Sequence, residues 1–405
     1  MKRFTELEFP FVSKSEYLLI IMLVLLSGHP MFIDRTYYAV AGFFSILYII
    51  IKGRKRNFNK LWIYCMFYIL LAVCQQFVLG SISYLGVLNF IFKIIFGAIV
   101  LRSLGERFRF AYLNVIYVVS CISIVLFSMQ RLGLNLPILW SNGSITNSIG
   151  IYCWLSAFSE LPRNLGIFWE PGAFSAYILL IPMLYLKNLS DLLIDYRFRK
   201  KIFIIFIAFI TTLSTTGYIV LAVIAIYYYA TKSKNLFKTF LVYLPLVLIL
   251  VYYIFSSLDF VGDKLESQYE TAIENKGEYS DSRYGALLFD QYYIEKHPFV
   301  GNGLDVKTRF ADHPFLWEQS IGMGNGLTGF LANWGFVALL FYCVLLYQSL
   351  PLKKRDRIAL IAIVLLQFNG EYLLNFPLYL ALPFIVLPYN YFIKSRKNEN
   401  SLAIS

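Results

Sequence analysis

The sequence predicts an all-α polytopic membrane protein of about twelve transmembrane helices, in a single membrane domain over residues 1–405. Composition is the first reason: 59% of the residues are hydrophobic, only 15% are charged, and the mean hydropathy is +0.63. These values exclude an ordinary soluble domain. The second reason is that apolar runs recur along nearly the whole chain. The third is that positive charge alternates between successive connections.

The apolar runs are long enough to cross a bilayer, since a helix rises about 1.5 Å per residue and about 20 residues cross the hydrocarbon core. The predicted spans are 17–33, 36–51, 61–79, 85–101, 110–130, 168–186, 201–213, 217–231, 236–256, 327–349, 358–374 and 376–392. No small-residue cleavage site follows the first run, so it is predicted to be an uncleaved span.

Positive charge predicts the orientation of these spans. Most of the 36 Lys and Arg residues fall in alternate connections, for example at 52–60, 197–201 and 353–357. Connections rich in Lys and Arg face the cytoplasm, so both termini are predicted to be cytoplasmic. The same asymmetry accounts for the net charge of +12. A bilayer is therefore expected as the partner, and no nucleic acid.

Residues 201–231 are predicted to form two short helices instead of one long one. Lys200 and Lys201 precede the run and Lys232 follows it, all on the predicted cytoplasmic side, so the run must go out and return. The turn "TTLSTTG", 211–217, would then lie below the outer surface. Its hydroxyls favour a polar cavity, and the alternative is that they bond to their own helix backbone.

Two longer connections are predicted to lie outside. The first is 131–167, and the second is a large, partly helical outer loop at 257–323, between spans 9 and 10. The first part of the large loop has the composition of a solvated amphipathic stretch. Its second part predicts an amphipathic helix that Pro298 ends, followed by a "GNG" turn at 301–303.

Charged residues on the predicted outer face are candidates for a binding site. Arg163 and Arg283 both lie beside elements that anchor them to the membrane surface. The arginine side chain donates two parallel hydrogen bonds to phosphate, so converging arginines can hold a pyrophosphate without a metal ion. The alternative is that each pairs with a local acid, such as Glu170 or Asp290.

His313 and Glu170 are the candidate catalytic residues. A histidine can take a proton from a hydroxyl near neutral pH, although a single loop histidine is more often structural. Glu170 and Pro171 open a predicted span, where an acid is also favoured by the helix dipole. Its nearness to Arg163 makes it a candidate base or a partner that orients the arginine.

Two tryptophans and one lysine complete the set of candidates. Trp169 and Trp317 fit an interfacial aromatic belt, and their faces also suit the C–H faces of sugars. Lys93 lies inside a predicted span, where an ionisable group is functional by default; snorkelling or pairing with a loop acid are the alternatives. The pattern assigns Lys93 no role.

Three stretches resemble the bacterial O-antigen polymerases and O-antigen ligases. "RNLGIFWEPGAFSAY", 163–177, is similar to their Arg-x-x-Gly-x-Phe-x-x-Pro-x-x-Phe signature. "SRYGALLFDQYYIEKHPFVGNGL", 282–304, resembles their outer-loop pattern of an arginine, a helix and His-Pro-x-x-Gly-x-Gly. "DHPFLWEQSIGMGNGLTGFLANWG", 312–335, resembles their histidine and Gly-rich approach to the next span. The resemblance covers roughly residues 160–350.

The resemblance implies a metal-independent glycosyltransferase without cofactor, in the bacterial inner membrane, with its active site on the periplasmic face. Its substrate would be a polyprenyl-pyrophosphate-linked oligosaccharide, and chain-length regulator and flippase proteins would be further partners. Arg163 and Arg283 would bind pyrophosphate, and His313 would be the base. Many members have Ser-Arg-Gly at the buried hairpin, but this chain has Thr216 in place of the arginine. Arg309 is the expected substitute.

The resemblance favours a polymerase of lipid-linked repeat units for a surface polysaccharide such as O-antigen or capsule. Many ligases have His-Asn where this chain has His313 followed by Pro314. A ligase that moves finished polymer to a lipid-core sugar is the alternative within the family. A flippase or other transporter of lipid-linked oligosaccharide is the alternative from another class, because transporters place ionisable groups or broken helices near the membrane centre.

Overall fold

The protein is mostly helical. A computed structural model describes residues 11–52, 58–134, 136–142, 145–155, 162–186, 189, 192, 195–232, 283–317 and 325–387. The predicted span 236–256 and residues 257–282 and 318–323 of the predicted outer loop lie outside this part of the chain.

Helices account for most of the predicted spans in the described residues. The α-helices are α1 (Lys14–Leu26), α2 (Arg35–Lys52), α3 (Asn59–Leu79), α4 (Tyr84–Leu104), α5 (Phe108–Arg131), α6 (Pro171–Leu184), α7 (Tyr196–Thr211), α8 (Thr215–Lys232), α9 (Arg283–Lys296), α10 (Val306–Arg309), α11 (Gly326–Ser349), α12 (Lys354–Gly370) and α13 (Pro377–Leu380). The strands are β1 (Ile138–Ser141), β2 (Ile145–Ser148) and β3 (Tyr152–Leu155).

Apolar helices of membrane-spanning length support a membrane protein. Three stretches among the described residues are long and apolar enough to cross a bilayer: Asn59–Leu79, the run Tyr84–Arg131 that contains α4 and α5, and Gly326–Ser349. Three shorter apolar helices cover Arg35–Ile51, Pro171–Leu184 and Thr215–Thr231. A total of twelve spans, and their orientation, stay predictions.

Helix α4 lies at the centre of the packing. It contacts α1, α2, α3 and α13, and nearly all of its residues from Phe90 to Leu101 are buried. Gly97 permits the closest of these approaches, because a Cβ atom there would lie 2.3 Å from the Pro377 carbonyl oxygen. The buried core of the protein is therefore built around α4, which also carries Lys93.

The predicted last span, 376–392, is wrong as far as the structure describes it. Among the described residues, the chain forms only the short helix α13 and a 3-10 turn at Leu382–Phe384, and Ile385 after the turn has an extended backbone. Pro383 explains the break, since proline has no backbone N–H and its ring clashes with the preceding helical turn. Residues 376–385 are buried inside the protein, where they pack against α4 and α11.

The predicted division of 201–231 is confirmed, because α7 and α8 are separate helices joined by residues 212–214. The polar cavity predicted at this turn stays a prediction, and two of its four threonine hydroxyls are seen to bond to their own helix. The hydroxyls of Thr211 and Thr212 donate to carbonyls of their own helix, those of Ala208 (2.8 Å) and Phe209 (2.7 Å). The alternative interpretation, local bonding of the hydroxyls, describes these two residues.

A small antiparallel sheet in the order β1-β2-β3 corrects the all-α prediction. It forms in the connection 131–167. Ile149 and Gly150 both have positive φ in the turn between β2 and β3, a conformation that permits a tight hairpin. The Cys153 N–H donates to the Gly166 carbonyl (2.7 Å), so the sheet is tied to the segment that leads into α6.

Helix α11 is broken at Gly335, where φ is 74° and ψ is 174°. The turn that follows α9 fills the break: the Phe336 N–H donates to the Pro298 carbonyl (2.8 Å), and the Gly303 N–H donates to the Asn333 carbonyl (3.0 Å). Backbone groups that a break frees must find other partners when they are buried. The break and the turn therefore form one structural unit.

Replacing Gly335 by alanine should lower the melting temperature of the purified protein. The φ and ψ of this residue are accessible almost only to glycine, at a cost on the order of 1–3 kcal/mol for other residues. The new Cβ would also lie 2.2 Å from the Phe299 carbonyl oxygen. Gly80→Ala is the matched control, because Gly80 has φ 77° but nothing within 4 Å of its Cβ position. Equal losses in the two variants would contradict the close packing described at the break.

Candidate functional site

Residues 283–317 form a compact segment on one end of α11. Its helix α9 packs along α11, with an apolar contact cluster of Phe289, Tyr293, Phe310, Leu316 and Ala332. The turn after α9 enters the break in α11, as described above. The segment is therefore held at two places, so the side chains it carries have fixed positions.

A buried ion pair joins this segment to α11. The Arg309 guanidinium donates to Asp290 Oδ1, and the Thr328 hydroxyl donates to Asp290 Oδ2 (2.7 Å). Arg309 is 2% exposed and Asp290 is 4% exposed. Burial raises the pKa of the Asp290 carboxyl, and the charge of Arg309 and the hydrogen bond from Thr328 oppose that rise. One carboxylate thus connects α9, α10 and α11.

The position of Arg309 corrects the expectation that it binds pyrophosphate directly. Its guanidinium is enclosed by protein, with its centre 5.0 Å from the ring centroid of Tyr293 and 4.8 Å from that of Phe310. Nε and Nη1 are buried without a hydrogen-bond partner among the described residues. A ligand cannot reach these atoms in this conformation, so Arg309 is assigned a structural role. Burial of this kind depends on packing, which a loop sequence does not reveal.

His313 is bonded to a tyrosine on α9. The distance between Tyr293 Oη and His313 Nδ1 is 2.6 Å, and the imidazole packs on Phe289 with ring centroids 4.9 Å apart. Burial raises the pKa of Tyr293 to about 12, so its hydroxyl keeps its proton near neutral pH. His313 is half-buried, and its ring has a defined orientation.

Asp312 forms hydrogen bonds with other residues than its neighbour His313 does. Its Oδ2 accepts from Lys296 and from the Tyr292 hydroxyl (3.0 Å). The hydrogen bond from Lys296 holds the pKa of the Asp312 carboxyl below its usual range. The imidazole of His313 is therefore oriented by Tyr293 rather than by the adjacent acid, which agrees with the divergence of neighbouring side chains.

A cleft of about 480 Å³ opens between the end of α3 and the 283–317 segment. It is lined by Val78, Leu79, Ser81, Tyr293, Lys296, His297, Asn302, Lys307, Thr308, Ala311 and Trp317. Tyr293 belongs to the lining and also bonds His313, so the cleft and the Tyr293–His313 pair adjoin. Trp317 is the predicted glycan-binding residue found in this cleft. Sequence reasoning missed the contribution of α3, because nothing local links residues 78–81 to this segment.

The second group of predicted residues lies at the start of α6. Arg163 is half-buried in the extended stretch before the helix, and Glu170 is exposed at its N-cap without a capping bond from its side chain. The indole of Trp169 stacks on Phe376, with ring centroids 4.5 Å apart. Trp169 is therefore packed against protein on the face that Phe376 covers.

Thr216, the last predicted cavity residue, packs against α12. A Cβ atom on Gly370 would lie 2.6 Å from the Thr216 methyl carbon, so the two helices are in close contact there. This packing leaves Thr216 half-buried.

Residues 370–376 contact both α11, against which the 283–317 segment packs, and Trp169 just before α6. Beyond the Thr216 contact, the Asn333 side chain donates to the Tyr372 hydroxyl (2.8 Å), and Phe376 holds Trp169. Glu371 is only 5% exposed in this segment. Sequence reasoning missed it, although an acid inside a predicted span was the available signal.

Lys93 is buried beside the same segment. Its ammonium donates to Asn375 Oδ1 (3.1 Å) and lies 4.4 Å from the ring centroid of Tyr38. These contacts correspond to neither snorkelling nor pairing with a loop acid. Arg283 is the first residue of α9, and its side chain lies outside the described part of the structure.

Comparison with known proteins identifies no relative. No family model, curated protein or solved structure matches the chain. The described residues contain no group of three or more His, Cys, Asp or Glu side chains with the spacing of a metal site.

Proposed function

We propose that this protein is a glycosyltransferase that polymerises lipid-linked oligosaccharide repeat units for a bacterial surface polysaccharide, at the outer face of the inner membrane. The observation that carries the proposal is the Tyr293–His313 pair beside a cleft of substrate size. A general base must lie within hydrogen-bond reach of the hydroxyl that it deprotonates. The pair adjoins a cleft with polar and aromatic walls, which suits a sugar hydroxyl.

The proposed reaction joins two oligosaccharides. An acceptor hydroxyl oxygen attacks the anomeric carbon of the donor chain, and the bond from that carbon to the pyrophosphate oxygen breaks. His313 accepts the hydroxyl proton, and polyprenyl pyrophosphate leaves with the bonding electrons. Negative charge grows on the leaving oxygen, so cationic donors at that position lower the barrier. Arg163 and Arg283 are the proposed donors.

Replacing Arg163 by alanine should reduce chain extension about a hundredfold, because one donor to the leaving group is lost. Arg283→Ala should have a similar effect. The measurement is extension of lipid-linked repeats by the purified protein, followed by gel separation of the products. Arg131→Ala is the control, since Arg131 also lies on the predicted outer face, at the end of α5. Full extension by the Arg163 and Arg283 variants would exclude this pyrophosphate clamp.

The extension assay also separates the polymerase from the ligase. With lipid-linked repeats as the sole glycan substrate, a polymerase produces chains of increasing length on the carrier. A ligase leaves the repeats unchanged until a lipid-core acceptor is added, and then transfers polymer to it. Extension without an added core acceptor is the expected result, and transfer only to the core would overturn the polymerase assignment.

A transporter is the second candidate, because the break in α11 and the buried Lys93 are features of transport proteins. In transporters the backbone groups freed at a break bind substrate or ions. Here the turn 298–303 already binds groups on both sides of the break, which favours a structural role. Translocation of lipid-linked oligosaccharide across liposomes, without chain extension, would support the transporter instead.

A further inference from the structure

We propose that the cleft between α3 and the 283–317 segment binds an acceptor sugar that carries an oxyanion, a carboxylate or phosphate group attached to the ring. This inference rests on the proposed function and adds the class of acceptor to it. It also gives the cleft residues Lys307 and Trp317 distinct roles in recognition.

The cleft carries a cation that is available to a ligand. Of its two lysines, Lys296 is ion-paired with Asp312. Lys307 is exposed and has no ion pair with any described residue. The nearest acid in sequence, Asp305, uses its carboxylate to accept from the Lys307 backbone N–H (2.9 Å) and so caps α10. The ammonium of Lys307 is therefore the group that would bind an anion.

A flat apolar surface lies next to this cation. Trp317 keeps 38% of its surface exposed, and its Nε1 donates to the Phe310 carbonyl (2.9 Å), which fixes the indole. The Lys307 ammonium lies 5.9 Å from the ring centroid of Trp317. A pyranose that stacks its C–H face on the indole would place a substituent at its edge within reach of Lys307. The pairing of a rigid aromatic with one cation fits an acidic sugar.

The remaining walls suit sugar hydroxyls. Ser81 is exposed at the end of α3, and the Thr308 hydroxyl donates to the Asn302 carbonyl (2.7 Å), which leaves its oxygen able to accept a further bond. The volume of about 480 Å³ lies in the range of small-ligand sites and is larger than one monosaccharide needs. The cleft can thus hold the acidic sugar together with a neighbouring residue of the acceptor.

The pyrophosphate of the carrier lipid is another source of oxyanions. A diphosphate carries several charges and is best bound by more than one cation, particularly by arginine. The cleft offers one unpaired lysine among the described residues and an aromatic face, so it fits a singly substituted sugar better. In the proposed function, Arg163 and Arg283 bind the pyrophosphate.

The test is a binding measurement on the full-length protein in lipid nanodiscs, without any turnover. The probes are a trisaccharide with one glucuronic acid residue, the same trisaccharide with glucose at that position, and inorganic pyrophosphate. Saturation-transfer NMR titration should give a Kd for the acidic probe about two- to fivefold below that of the neutral probe, the upper part of the range for an exposed charge pair. Inorganic pyrophosphate should bind to the protein without displacing the acidic probe from the cleft.

Variants assign the preference to single residues. Lys307→Ala should remove the preference for the acidic probe and leave the Kd of the neutral probe unchanged, and Lys307→Arg should retain it. Trp317→Ala should weaken the binding of both probes. Lys354→Ala is the charge-matched control, because Lys354 is an exposed lysine at the start of α12. Equal binding of the two probes, or a preference that survives Lys307→Ala, would overturn the inference.

Two further outcomes separate this inference from the proposed function. If pyrophosphate competes with the acidic probe and loses affinity in Lys307→Ala, the cleft is a carrier site and the acidic acceptor is excluded. If the acidic preference follows Lys307 but the protein extends no lipid-linked repeats, the cleft assignment stands and the polymerase assignment fails.

Discussion

Replacing Asp290 by alanine is expected to destabilise the 283–317 segment by about 3–5 kcal/mol, the cost of leaving a buried charge without its partner. Arg309 is 2% exposed and cannot lose its proton, so the variant keeps an uncompensated cation in the interior. The hydroxyl of Thr328 would also lose its acceptor. The measurement is thermal unfolding of the detergent-purified protein, together with limited proteolysis of the 283–317 segment.

Two companion variants distinguish a lost ion pair from a general packing defect. Arg309→Met should cost less than Asp290→Ala, because the Asp290 carboxyl can become neutral by binding a proton. The double variant Asp290→Ala with Arg309→Met should recover much of the loss, since neither charge then remains. A double variant less stable than Asp290→Ala alone would contradict the importance of charge pairing at this position.

The Arg309→Met variant also predicts a pH dependence. Burial raises the pKa of Asp290, and removal of the arginine removes a charge that opposes this rise. A raised pKa in the folded state means that folding takes up a proton between the unfolded and the folded pKa values, so stability increases as pH falls through that range. The loss of stability caused by Arg309→Met should therefore be smaller at lower pH, whereas the loss caused by Asp290→Ala should not.

Replacing His313 by alanine is expected to lower the rate of glycosyl transfer by about a hundredfold to ten-thousandfold, the usual contribution of a general base. The imidazole is only half-buried, so the melting temperature should change little. The measurement is the initial rate of repeat-unit extension under saturating donor, compared with unfolding of the same preparation. A rate near that of the unmodified protein would remove His313 from the mechanism.

Two variants test how His313 is oriented. Tyr293→Phe keeps the ring in the apolar cluster but removes the hydroxyl that lies 2.6 Å from Nδ1, so the pH profile of transfer should shift. Asp312→Asn should shift the profile less, because the hydrogen bonds of this carboxylate go to Lys296 and Tyr292. A shift with Asp312→Asn and none with Tyr293→Phe would reverse the assignment of the orienting residue.

Local pattern was sufficient for much of the helical structure. Apolar runs located the helices from Asn59 to Arg131 and the helix Gly326–Ser349 to within a few residues, because run length is a local property. Charge at both ends of 201–231 predicted the separation of α7 and α8. The pattern failed at 376–392, where apolar composition was right but Pro383 prevents one continuous helix.

The candidate site depended more strongly on distant contacts. The sequence drew attention to Arg309, His313 and Trp317, but it did not show that the first is buried and the third lies in a cleft. It also did not reveal that the turn after α9 fills the break in α11. Each of these features joins segments that are separated along the chain.

The sequence by itself determined that this is a mostly helical protein with membrane-length apolar helices, because hydrophobic transfer and helix length depend on residues that are close together in the chain. Only the tertiary structure decided which polar groups are paired and which remain open to a ligand. The physical reason is that the cost of burying a charge depends on its partner, and the partners of Arg309 and Lys93 are supplied by other parts of the chain.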